Sequence, residues 1–178
     1  MKPASEVTAD SARYSKFMSI FHWLIAVLVI LAYLTSEGGP RVRSNPPTVH
    51  ILLGLSVLAL TLPRLFGRLL VGVPSPLETI SKRLTRVAGI GHATLYVLLL
   101  AVPITGWFTL SRLGLSIELF GLKVPFLIAP VDGHPGLIAD LHQIGGNLLL
   151  GIAAFHAAIA LWHFIWLRDK TLQRMWPF

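Results

Sequence analysis

Residues 137–167 read LIADLHQIGGNLLLGIAAFHAAIALWHFIWL, a run in which Asp140 is the one acid and no Lys or Arg occurs. A membrane-spanning helix needs about 20 mostly apolar residues, so this run is long enough to cross a bilayer. It also carries imidazoles into that bilayer. His142 and His156 are 14 residues apart, and at about 100° per residue they return to nearly the same helix face, about 21 Å apart along the axis. One helix thus offers two histidines on one stripe, one near each membrane surface.

Working outward, three more stretches share this character, which gives four spans at about 17–36, 48–66, 85–110 and 137–167. Pro63 and Pro103 fall inside the second and third, where neighbouring helices tolerate a proline at the cost of a local kink. Linkers rich in Gly, Pro and charge separate the spans. The chain is 54% hydrophobic and 13% charged, whereas soluble domains carry about 25% charged residues. The expected fold is all-α, an integral membrane four-helix bundle forming a single domain over residues 1–178. The first apolar stretch is too long for a signal peptide and lacks a small-residue cleavage site, so it is expected to remain as a span.

The net charge of +7 invites a nucleic-acid reading, but the basic residues gather at span ends and form no continuous stripe, so no nucleic acid is expected as a partner. They read as topology signals. Eleven Lys and Arg (residues 2, 13, 16, 64, 68, 82, 83, 86, 168, 170 and 174) fall on one side, and four (Arg41, Arg43, Arg112 and Lys123) on the other. The positive-inside rule then places both termini in the cytoplasm and the 111–136 loop outside. Trp23, Trp107, Trp162 and Trp166 lie near span ends, as an interfacial aromatic belt requires.

There are no cysteines among the 178 residues, which excludes disulfides, thiolate metal sites, iron–sulfur clusters and covalently attached haem. Histidine is left as the strong metal ligand. Polar residues inside a membrane are costly and mark function by default. By depth, His22 on the first span is level with His156, and His50 on the second is level with His142. A bundle builds cofactor sites from side chains on facing helices, and haem iron accepts axial histidine, so His22, His50, His142 and His156 are candidate ligands of two b haems. Gly54, Gly89, Gly91, Gly145, Gly146 and Gly151 would let a flat macrocycle approach the backbone. Interhelical hydrogen bonding by these histidines is the plain alternative. Zinc or copper is a poorer one, since each depth offers two strong ligands and no carboxylate. His92 lies at mid-depth without an evident partner, which suits packing or a haem edge, and His134 in Gly133-His134-Pro135-Gly136 reads as a turn residue.

Arg13-Tyr14-Ser15-Lys16, Phe21-His22-Trp23, His50-Ile51-Leu52-Leu53-Gly54, Gly91-His92 and Ala101-Val102-Pro103-Ile104-Thr105-Gly106 form an ordered set. It continues through Phe120-Gly121, Leu141-His142, His156-Ala157-Ala158 and Asp169-Lys170-Thr171-Leu172-Gln173-Arg174-Met175. In this order they resemble the bacterial cytochrome b561 family over nearly the whole chain. The resemblance implies the same ligand pairs, His22 with His156 and His50 with His142, in the bacterial inner membrane. It is closest to a branch that takes electrons from superoxide outside and reduces ubiquinone inside, and it places His163 at the quinone site. The 111–136 loop, which should shape the outer entrance, departs from the family pattern.

With both axial positions filled by histidine, chemistry at iron is expected to be outer-sphere electron transfer. Arg41, Arg43, Arg112 and Lys123 are candidates for drawing in the superoxide anion, although interfacial or haem-propionate roles serve them equally. His163, seven residues beyond His156, sits about 10 Å further toward the cytoplasm and can exchange protons with a quinone. The other reading is an electron-transfer subunit fed by a periplasmic redox partner, docking on Val124, Pro125, Phe126, Leu127 and Ile128.

Overall fold

A computed structural model describes residues 13–36, 46–72, 74, 81–116, 118–119 and 121–177. The chain folds as four helices: α1 (Lys16–Leu34), α2 (Thr48–Val71), α3 (Lys82–Arg112) and α4 (Leu137–Trp162), the last continued by a π-helical turn over His163–Leu167. All four are long and apolar enough to cross a membrane, and the fold is an all-α four-helix membrane bundle. Its β-structure, among the described residues, is one small hairpin in the loop between α3 and α4. There β1 (Glu118–Leu119) pairs antiparallel with β2 (Leu122–Lys123), Glu118 opposite Lys123.

Local chemistry sets the helix ends. Ser15 Oγ accepts from Met18 N at 3.3 Å at the start of α1, and Ser81 Oγ accepts from Leu84 N at 3.3 Å at the start of α3, each covering an orphan amide of the first turn. α2 runs past the apolar stretch to Val71 and stops where Gly72 takes φ 79°, a conformation that glycine adopts without a Cβ penalty. Hydroxyls along the spans turn back on their own helices: Ser56 donates to Leu52 O at 2.8 Å and Thr109 to Thr105 O at 2.9 Å. This meets the demand that lipid imposes on every polar group.

α1 packs along α2 and α3 along α4, with α2 also against α3; α1 touches α4 lightly, and the diagonal pairs α1–α3 and α2–α4 do not pack. Small residues permit the close approaches. Ser19 on α1 and Thr61 on α2 have no exposed surface, and a Cβ at Gly145 of α4 would lie 3.0 Å from Val102 Cγ2 of α3. Large apolar side chains such as Val27, Leu70, Ile90 and Phe155 point outward, which suits a bundle solvated by lipid. Tyr14 N donates to Arg174 O at 3.2 Å, and Trp23 Nε1 donates to Met175 O at 3.0 Å while Trp176 packs edge-on against the Trp23 ring. Both ends of the described chain therefore meet at one end of the bundle, here the termini end; the α3–α4 loop lies at the opposite, loop end.

The hydroxyls of Ser19 and Thr61 are buried without a hydrogen-bond partner among the described residues, so their size matters more than their polarity. Ser19→Ala should leave the unfolding free energy in detergent unchanged or raised, whereas Ser19→Leu should cost about 1–3 kcal/mol by overpacking. Equal losses in both variants would refute the packing account.

Candidate functional site

At the loop end, His50 on α2 faces His142 on α4 with ring centres 5.8 Å apart and planes at 78°. Since α2 and α4 do not pack directly, the two imidazoles reach toward each other across the bundle. Each has its Nδ1 on a backbone carbonyl, His50 on Ala32 O at 2.7 Å and His142 on Val102 O at 2.9 Å. Ala32 lies in the last turn of α1, where its carbonyl also accepts from Thr35 Oγ1 at 3.3 Å. Val102 O is reached because Gly106 stands beside it; a Cβ there would lie 2.8 Å from His142 Cε1. A carbonyl only accepts, so Nδ1 carries the proton in both rings and Nε2 keeps its lone pair for a ligand.

At the termini end, His22 on α1 faces His156 on α4 with ring centres 6.3 Å apart and planes at 87°. Two imidazoles sharing one iron, each with its nitrogen about 2 Å from the metal, have ring centres about 6 Å apart. Both pairs match that spacing. A Cβ at Gly54, one turn along α2 from His50, would meet no atom within 4 Å, as a flat group lying against that backbone requires. Among the described residues, no three His, Asp or Glu side chains gather to hold a single metal ion. The donor set therefore fits bis-histidine haem better than zinc or copper.

Two residues behave differently from the sequence reading. His92 does have a partner: its ring centre is 5.2 Å from that of His156. α3 begins at Lys82 and α4 with its π turn runs to Leu167, so His92 and His156 lie at similar depths from the termini end. Arg64, counted above as a topology signal, lies inside the bundle with 7% of its surface exposed. Its Nη1 donates to Tyr96 Oη at 2.6 Å and its Nε has no partner among the described residues. Arg64 follows His50 by 14 residues on α2, the same interval as His142 to His156.

Past α4, the π turn ends at Arg168, whose φ of 50° is left-handed, and the chain folds back so that Asp169 Oδ2 lies 2.5 Å from His163 Nδ1. Thr171 N donates to the other carboxylate oxygen at 2.8 Å. Burial by itself would raise the Asp169 pKa, but the hydrogen bonds from Thr171 and His163 outweigh it and hold the carboxyl below its ordinary value. A lowered folded pKa means that the stabilisation from this strap is present above the ordinary carboxylate range and is lost as pH falls through the lowered value. Asp169 fixes His163 Nδ1 as the donor and leaves Nε2 outside this pair. Trp162 and Trp166 stack on each other, 4.5 Å between centres, and are exposed, an interfacial arrangement.

Arg41 and Arg43 lie outside the described residues. Lys123 is exposed on β2 opposite Glu118, and Arg112 is half-buried, its Nε without a partner among the described residues. The loop between α3 and α4 is pinned to α3, with Trp107 Nε1 donating to Pro125 O at 2.9 Å and Leu127 N donating to Ser111 Oγ at 3.0 Å. Trp107 and Trp23 thus anchor chain segments in addition to their place at span ends. His134 Nδ1 accepts from Gly136 N at 3.0 Å, as a turn residue does.

The model of the prokaryotic cytochrome b561 family matches residues 13–178. A probable superoxide oxidase, CybB, from Yersinia pestis is 31% identical over 93% of this chain and 96% of its own length. A cytochrome b562 from Cereibacter sphaeroides is 31% identical over 91% and 94% respectively, and cytochrome b561 homolog 1 from Escherichia coli is 27% identical over 93% and 97%. With four apolar spans and histidines paired in its interior, the chain belongs to the prokaryotic cytochrome b561 family of haem b-binding membrane electron-transfer proteins.

Proposed function

We propose that the chain, acting as one unit over residues 1–178, is a superoxide:ubiquinone oxidoreductase of the bacterial inner membrane, with the termini end in the cytoplasm. His50 and His142 would hold one b haem, and His22 and His156 a second. The observation that carries the haem assignment is the two imidazole pairs, each at the spacing of one shared iron. The choice of substrate rests on the likeness to the Yersinia pestis relative across almost the whole chain.

Bound haem supplies one-electron transfer without an open site on iron. In balance, two superoxide anions leave as two dioxygen molecules, and ubiquinone takes up their two electrons and two protons to become ubiquinol. The chain's own residues bracket that exchange. At the loop end, Arg41, Arg43, Lys123 and Arg112 supply positive charge that draws the anion in. Beyond His156, His163 donates a hydrogen bond to a quinone carbonyl and passes it a proton from the cytoplasmic side, with Asp169 holding the ring in place. The exposed Phe126 and Leu127 on the pinned outer loop favour a second reading, in which a periplasmic redox protein docks there and supplies the electrons instead. Quinone reduction by the purified chain, driven by pulse-generated superoxide alone, separates the two.

Haem counts test the pairing. His22→Ala or His156→Ala should each remove or alter the same haem in the reduced-minus-oxidised spectrum, and His50→Ala or His142→Ala the other. Gly106→Ala should imitate a weakened His142→Ala by pushing that ring aside. One haem per wild-type chain would sink the scheme. For the acceptor side, His163→Ala should keep both haems and their reduction by superoxide, yet reduce quinone about 100-fold more slowly; normal turnover would return His163 to a surface role. At the entrance, neutralising Arg41, Arg43 and Lys123 together should slow the superoxide reaction at low salt and flatten its ionic-strength dependence, with both haem spectra intact. An unchanged low-salt rate would remove steering from the account.

A further inference from the structure

Arg64 is a cation in the apolar interior, with no anion paired to it among the described residues. It is 7% exposed, and neither of the ion pairs among the described residues involves it. A second guanidinium stands close by, since Arg64 and Arg68 lie 5.4 and 5.7 Å from the centre of the same Tyr96 ring. The two differ in where they look. Arg68 lines a lateral groove between α2 and α3 with Leu69, Ala93 and Val97. Arg64 faces inward, within electrostatic reach of the His22, His92 and His156 rings.

Tyr96 Oη fixes one end of the Arg64 guanidinium, and its buried Nε has no partner among the described residues. A guanidinium held in that way presents a planar fork suited to a carboxylate. Arg68 and not Arg64 lines the lateral groove, which favours an anion inside the bundle over a lipid phosphate. An anion of the right chemistry is one carried by the group between His22 and His156. We propose that Arg64 binds a propionate carboxylate of the haem held by His22 and His156. This rests on the haem reading above. It makes the arginine a binding residue on the fourteen-residue stripe of α2, at the depth where α4 supplies His156.

The test uses the whole holoprotein, with haem labelled by carbon-13 at the propionate carboxyls, and reads redox-difference infrared spectra together with redox titrations. In Arg64→Gln the labelled carboxylate band should move. The midpoint potential of the haem that His22→Ala removes should fall, because loss of a cation favours the more positive oxidised iron. A shift of about tenfold in the reduced-to-oxidised ratio, about 59 mV for one electron, is expected. The other haem should stay unchanged, and Arg64→Lys should recover most of the potential while still moving the band. If Arg64→Gln loses that haem, Arg64→Lys carries the decision, and a labelled band unmoved in Arg64→Lys overturns the proposal. With both haems bound, an unmoved band in Arg64→Gln overturns it equally. A His22→Ala variant with unaltered haem content would instead defeat the haem reading beneath it.

Discussion

An imidazole carried into the hydrocarbon region on a helix brings two nitrogens and finds no water there to satisfy them. The backbone can satisfy one of them only where a carbonyl has a lone pair within reach. At the loop end the fold supplies two such carbonyls by different means. Ala32 lies in the last turn of α1, and Val102 lies beside the bare backbone of Gly106. Each fixes one nitrogen as a donor and turns the other toward the opposite helix. The arrangement needs α1 to end where α2 begins and α3 to carry a glycine one turn after Val102, so the helix lengths and the site depend on each other.

The helix pairing follows from the same constraint. Imidazoles that share a metal stand about 6 Å apart between ring centres, which requires their helices to be held apart. α1 against α2 and α3 against α4 supply the close contacts through small residues, while the pairs that carry facing histidines touch lightly or not at all. Stability and binding thus lie on different helix faces. The sparing use of fully buried apolar side chains, Met18, Ile25, Val57, Tyr96, Leu110 and Leu149 among the described residues, belongs to a bundle whose centre is reserved for something other than side chains.

Much of this was legible in the sequence, because a straight helix converts spacing into geometry. Four apolar stretches gave four helices, and intervals of 14 residues brought His142 and His156 to one stripe and each opposite a second imidazole. What was not legible required knowing helix ends and irregular backbone. His92 looked partnerless when the third span was taken from residue 85, but the helix begins at Lys82 and meets the extended α4 at the depth of His156. Arg64 looked like a topology charge because the apolar stretch fades near residue 66, whereas α2 continues to Val71 and draws it inside. Asp169 is six residues from His163, an interval that no helix brings together; a π turn followed by a left-handed Arg168 does so, and neither has a clear sequence signal. Gly106 was quoted as a motif residue, yet its use as the opening to Val102 O depends on a cross-helix contact.

The two ends of the bundle also differ in kind. At the loop end, each histidine of the pair is tied to uncharged backbone, and the Nδ1 proton is locked against a carbonyl. At the termini end a buried guanidinium adds fixed positive charge near His22 and His156, and a carboxylate–imidazole pair lies one helical segment further on. Positive charge near a redox centre favours its reduced form, since reduction lowers the local charge. On the proposed haem reading that charge acts on the centre between His22 and His156, and the His163–Asp169 pair stands at the same end of the bundle.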